Sequence, residues 1–254
     1  MHSDSRITAN STVMKKIMIA LLLSAIAFHG ITQKTHYDNA QKRTVSGYHG
    51  VSVSGSIELF LSQGGEESVA IGADDPKILD KVITDVEDGI LRIYLENKNK
   101  IKIEWPLNAR RIRAYVSVKN IDYLSSAGSG TLHIEGNLKA DKLKISISGS
   151  GNVKGDLTVR DDLTVGLSGS ADADLSGTAE KSDFHISGSG SIGTYDFATN
   201  FCKVSISGSG NVKATVNKEL SAHISGSGNV FVKGDGLIRD YSSSGSGKFK
   251  RVKT

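Results

Sequence analysis

Cysteine and proline are nearly missing from the sequence: one Cys202 and two prolines stand among 254 residues, and aromatic side chains make up only 6%. A single thiol forms no internal disulfide, so the fold must hold by packing and hydrogen bonds alone. No cysteine lies near the N-terminus to carry a bacterial lipid anchor. Charge of one sign is also missing, with 31 basic against 27 acidic residues and a net charge of +4. Removing residues 1–33 takes away Arg6, Lys15, Lys16 and Asp4 and leaves +2. Such a balance gives no electrostatic footprint for nucleic acid. The apolar run in "MKKIMIALLLSAIA" falls well short of the ~20 residues that span a bilayer.

That run has another use. Two lysines, an apolar stretch and the small-residue pattern Ala25-x-Ala27 make residues 14–33 read as a secretory signal peptide, cleaved after Ala27 or nearer Gln33. Residues 1–13 are polar and patternless and read as an upstream mis-start, with Met14 the true beginning. The chain is therefore expected to be exported, to the periplasm, the outer-membrane surface or the medium, with no transmembrane segment after cleavage.

What the sequence has in abundance is glycine, 28 residues of it, with Val, Ile, Ser and Thr in short alternating runs. This composition favours strands and tight turns over helices. The phrase Ser-Gly-Ser recurs with its glycine at Gly149, Gly169, Gly188, Gly208, Gly226 and Gly245, at spacings of 20, 19, 20, 18 and 19, and Gly128 extends the series by 21. A sustained period near 20 is the signature of a solenoid, in which each unit buries its apolar face only against its neighbours.

Strand residues two apart share a face, which sets the register. Positions two, four and six before each glycine carry Ile147, Ile145 and Leu143 in one unit and Ile206, Val204 and Cys202 in another, an inward column. Four residues after the glycine come Val153, Ala173, Ile192, Val212, Val230 and Phe249, a second inward column. The glycine phrase between them is expected to be a corner, where positive φ and close backbone approach are required. Its serines and the column Asn152, Asp172, Ser191, Asn211 and Asn229 are expected to hydrogen-bond along the stack.

Residues 34–122 read as a β-rich N-terminal part that caps the first coil, with strands at "VSVSGSIELFLSQGG" and "SVAIGADD", a short helix over "DPKILDKVITDV" and two strands in "GILRIYLENKNKIKIEW". Asp75 before Pro76 has the chemistry of a helix N-cap. Residues 123–254 are the repeats. The predicted class is all-β, a parallel β-helix of ~20-residue coils with one short helix in the N-terminal part.

From about Val45 to Val252 the chain resembles the bacterial head GIN domain family of auto-transporter adhesins, a domain of unknown function. The likeness lies in "GYHGVSVSGSIELFLSQG", "DGILRIYLENK", the Ser-Gly-Ser-Gly coils and the closing "GSGNVFVKGDGLIRDYSSSGSGKFKRV". It implies an exported β-helical protein of a Gram-negative envelope with an adhesin-like role, and it brings no catalytic residues. An autotransporter also needs a membrane barrel of alternating ~10-residue strands after the head. This sequence stops at Thr254 directly after its last coil, so self-transport in the same chain is not expected.

Candidate chemistry is sparse. Gly188, Gly190 and Gly193 match G-x-G-x-x-G, but "TYDFATN" follows where dinucleotide binding needs a helix. His185 and His223 face outward two coils apart, roughly 9.6 Å, too far to share one zinc ion. Asp161, Asp162, Asp172 and Asp174 do not recur in every repeat as a calcium β-roll requires. The outward column Lys144, Thr164, Asp183, Lys203, Ser221 and Asp240 suggests surface pairing, such as Asp183 with Lys203, and no pair of catalytic carboxylates. An ice-binding face would need regular threonine methyls, which the serine corners lack. Neither cofactor nor metal is expected.

The alternation of the basic segment reads first as a strand with Ile101 and Ile103 inward and its lysines solvated. Its residues Lys100, Lys102, Trp105, Arg110, Arg111 and Arg113 are still the best local candidate for a contact site, where the indole would stack on a sugar and the cations would meet anionic groups. The reading is a non-enzymatic, adhesin-like or envelope-binding solenoid whose partner is a surface glycan or an envelope or host protein. The alternative is a carbohydrate-active β-helix enzyme of the lyase or glycosidase kind.

Overall fold

A computed structural model describes residues 40–96 and 111–252 of the chain. The expected signal peptide lies outside the described residues. Sixteen strands and one helical turn follow in order: β1 (Gln41–Arg43), β2 (Gly50–Gly55), β3 (Ile57–Gln63), β4 (Ser68–Ala73), α1 (Pro76–Leu79), β5 (Val82–Glu87), β6 (Ile90–Leu95), β7 (Ile112–Val118) and β8 (Tyr123–Gly128). Then come β9 (Thr131–Gly149), β10 (Asn152–Gly169), β11 (Asp172–Gly188), β12 (Ser191–Gly208), β13 (Asn211–Gly226), β14 (Asn229–Lys233), β15 (Leu237–Ser244) and β16 (Lys248–Arg251). They form a β-solenoid of about six turns.

The five long strands β9 to β13 are each one coil, stacked in parallel and in glycine register: Gly149 pairs with Gly169, Gly169 with Gly188, Gly188 with Gly208 and Gly208 with Gly226. A register shift between Val159 and Asp162 divides β10 into a run after one corner and a run before the next. Both inward columns are where the alternation puts them. Ile147, Val165, Phe184, Val204 and Ala222 are buried in the first, and Val153, Ala173, Ile192, Val212 and Val230 in the second. Phe249, at the top of the second column, is only partly covered.

The stack begins earlier than the regular spacing reveals. Residues Gly50 to Gly55 of β2 pair with Tyr123 to Gly128 of β8, and β3 lies beneath the start of β9, so Gly55 is the corner of a coil directly under that of Gly128. Below it, β6 pairs in parallel with β2 and β7 with β3. This lowest coil is closed by antiparallel strands: β5 on β6, β4 on β7 and β1 on β4.

The helix is shorter than expected. Asp75 caps it, accepting from the Lys77 amide at 3.0 Å, and Pro76 opens it, but it ends at Leu79. Val82 to Glu87 form a strand instead, because Val82, Thr84 and Val86 alternate inward and pair with Leu95, Ile93 and Leu91 of β6. A β-branched alternating run has more to gain on a sheet edge than in a second helical turn. Of the two strands expected in "GILRIYLENKNKIKIEW", the first is β6 and the second lies outside the described residues.

This register makes a sharp prediction. Ile206 is 3% exposed in the interior column, while its neighbour Ser205 faces outward. Ile206→Asp buries an uncompensated carboxylate and should lower stability by ~3–5 kcal/mol or prevent folding, whereas Ser205→Asp should stay within ~0.5 kcal/mol. Urea unfolding of the two variants checks this, and equal effects would refute the register.

Candidate contact surface

The outward side chains just before each corner form hydroxyl ladders. One position before the glycine stand Ser148, Ser168, Ser187, Ser207, Ser225 and Ser244, each exposed and each the ladder partner of the next. Three positions before it the column reads Ser146, Gly166, His185, Ser205, His223 and Ser242. The two columns, with Ile147, Leu167, Ile186, Ile206 and Ile224 between them, line a groove of about 690 Å³. Rungs repeat at the ~4.8 Å strand spacing, so the groove offers a regular row of serine hydroxyls that both donate and accept hydrogen bonds. In the sequence these serines read only as corner chemistry. Their exposure and alignment come from stacking.

Neighbouring rungs satisfy one another in places. Ser125 Oγ donates to Ser52 Oγ at 2.9 Å, Asn229 donates to Asn211 at 3.0 Å, and the Ser191 amide donates to Asp172 at 2.9 Å, as expected for polar columns along a stack.

The histidines depart from expectation in their partners. Asp183 sits 2.9 Å from His185 Nε2 rather than pairing with Lys203, because both side chains leave the same face of one strand two residues apart. His223 contacts Ser242 through Nδ1 at 2.8 Å and Asp240 through Nε2 at 3.5 Å. The composition Ser, His, Asp is that of a hydrolytic triad, and sequence order alone does not show it. Yet the His223 and Asp240 side chains are 43% and 60% exposed, where water competes for every one of these bonds and little transition-state stabilisation is available. It is a solvated network. Among the described residues no group of three or more His, Cys, Asp or Glu side chains is placed to hold a metal ion.

Of the basic segment, Lys100, Lys102, Trp105 and Arg110 lie outside the described residues. Arg111 is exposed beside the start of β7. Arg113 points outward into carboxylates, with Asp74 at 3.3 Å and Glu58 at 3.6 Å, and Glu58 also meets His133 at 3.1 Å. His133 stacks on Phe60, and Phe60 on Tyr115, with centroids 4.8 and 5.2 Å apart. Two acids therefore already hold the Arg113 guanidinium, and the three rings spend their faces on one another. Cys202, the only thiol, is in the interior column, and burial pushes it well above its ordinary value.

The family model described as "Putative auto-transporter adhesin, head GIN domain" matches residues 47–236. The chain belongs to that family. The same fold is also seen in solved structures. A putative adhesin from Bacteroides fragilis superposes with a TM-score of 0.76 at 24% identity, covering 84% of this chain and 96% of that one. A structure from Parabacteroides distasonis described as a putative lipid binding protein gives 0.69 at 25% identity with the same coverages. A putative adhesin from Parabacteroides merdae gives 0.59 at 20%, covering 84% and 95%. No curated protein matches the chain. Among the described residues no helix is long and apolar enough to cross a membrane.

Because the Cys202 thiol is buried and its thiolate disfavoured, iodoacetamide at pH 8 should leave it unmodified in the folded protein and alkylate it once per chain in guanidinium. Mass spectrometry reads the difference. Labelling of the folded protein at the rate of a free thiol would contradict the interior column.

Proposed function

We propose that the protein is an exported, non-enzymatic adhesin-like module of the cell envelope, and that its hydroxyl-lined groove contacts a glycan. The observation that carries this reading is the pair of outward columns running past six corners, one all serine and the other serine with two imidazoles and a glycine. A repeating polymer of hydroxyls meets a repeating ladder of hydroxyls with matched donors and acceptors, and each added rung contributes to avidity without demanding charge. The adhesin names of the family and of the structural relatives support the same direction. The basic segment around Trp105 is a second contact in this reading, with Arg111 its exposed described member.

The test is retention of the purified protein on immobilised bacterial surface polysaccharide, before and after periodate oxidation of the glycan. Retention should be lost on oxidation. It should fall at least tenfold in a Ser187→Lys, Ser207→Lys, Ser225→Lys variant that keeps the far-ultraviolet spectrum of the parent. Retention indifferent to both treatments would sink the reading.

A further inference from the structure

The two ends of the solenoid are finished differently. Among the described residues, β5 pairs only with β6 at the N-terminal end, and β16 pairs only with β14 at the C-terminal end, so each presents one free strand edge. At the C-terminal end the core is also open. Leu237, Ile238 and Tyr241 are 67%, 45% and 41% exposed, three of the four exposed large hydrophobic side chains among the described residues. A free edge beside exposed apolar side chains is a template for another strand.

The sequences of the two edges select the occupant. In β16, Phe249 aligns with buried Val230 and points inward, while Lys248 and Lys250 point outward and are exposed. In β5, Thr84 and Val86 align with buried Ile93 and Leu91 and point inward, while Asp85 and Glu87 point outward. Arg92 is the cation bonded to both of these carboxylates, and exposed Asp88 follows, so acid stays in excess along that edge. Set antiparallel, the two strands match residue for residue: Lys248 opposite Glu87, Phe249 opposite Val86, and Lys250 opposite Asp85. The Thr84 hydroxyl, buried and without a partner among the described residues, lies at this same edge.

The ends are also stepped in a complementary way. β16 stands one strand beyond the coil that contains β15, whereas β5 is a single strand below β6 and the neighbouring side carries two, β4 and β1. The projecting edge of one end thus fits the recessed edge of the other. Two C-terminal ends would instead bring Lys248 and Lys250 against their own copies.

We propose that β16 of one molecule adds antiparallel to β5 of a second copy, joining solenoids end to end. The contact is heterologous and does not close, so it propagates into filaments. It would cover Phe249 and bring the open core end around Leu237, Ile238 and Tyr241 next to protein. The basic residues of β16 then repel wrong neighbours and select the acidic edge.

Sedimentation velocity of the purified chain at low and high salt tests this. At ~50 mM salt the weight-average sedimentation coefficient should rise with protein concentration, and ~500 mM salt should suppress the rise because the contact is charge-assisted and exposed. Lys248→Glu with Lys250→Glu should abolish association, and so should Asp85→Lys with Glu87→Lys. Mixing the two double variants should restore it, since each reversed edge then meets its complement. Circular dichroism establishes that each variant is folded. A protein that stays monomeric at every concentration, or one whose association ignores the charge reversals and their mixing, overturns the proposal.

Discussion

Everything in this fold hangs on one repeated contact, the carbonyl of a corner glycine accepting the backbone N–H of the serine that follows the next glycine up the stack. Gly149 accepts from Ser170, Gly169 from Ser189 and Gly188 from Ser209, all at 2.8 Å, and Gly208 from Ser227 at 2.9 Å. The contact requires backbones to touch at the corner. A Cβ placed on Gly149 would lie 2.5 Å from the carbonyl oxygen of Gly128, and φ there is +109°, a conformation L side chains rarely adopt. Corner glycine is therefore obligatory in a way that the second glycine of the phrase is not, since Ala171 occupies that place in one coil and is fully buried.

From that contact the rest of the architecture follows. Identical corners fix the register of successive coils, and register decides which side chains are inside, because a one-residue slip turns every strand over. Isoleucine, valine and phenylalanine then fill a continuous interior with no disulfide to help. The same alternation throws serine to the outside of every rung. Fold and proposed function thus share residues: the hydroxyl groove is the outer surface of the corner that makes stacking possible.

Much of this was legible in the sequence because it repeats. The spacing of Gly149, Gly169 and Gly188 gave the coil length, and the buried columns followed from alternation alone. Three things were not legible. The coil cornered at Gly55 is separated from Gly128 by 73 residues that contain β4 to β7, so its place under β8 shows only in the pairing. Val82 to Val86 follow a good helix start, and their fate as a strand depends on β6 being there to receive them. The partners of His185 and Arg113 are set by side-chain direction across the sheet, which periodicity does not encode. For the contact surface, the serines were visible as letters but not as aligned ladders, and the exposed hydrophobic side chains of the last coil stand out only once the coils are stacked.

The most direct measurement of the central claim is thermal unfolding of single Gly→Ala variants at three corners, Gly149, Gly188 and Gly226, beside Gly65→Ala, where nothing lies within 4 Å of the added carbon. If the corner contact is what the structure depends on, each corner variant should lose at least ~2 kcal/mol, a fall in Tm of roughly 4–8 °C, while the Gly65 variant stays within ~0.5 kcal/mol of the parent. Corner variants as stable as Gly65→Ala would contradict the account.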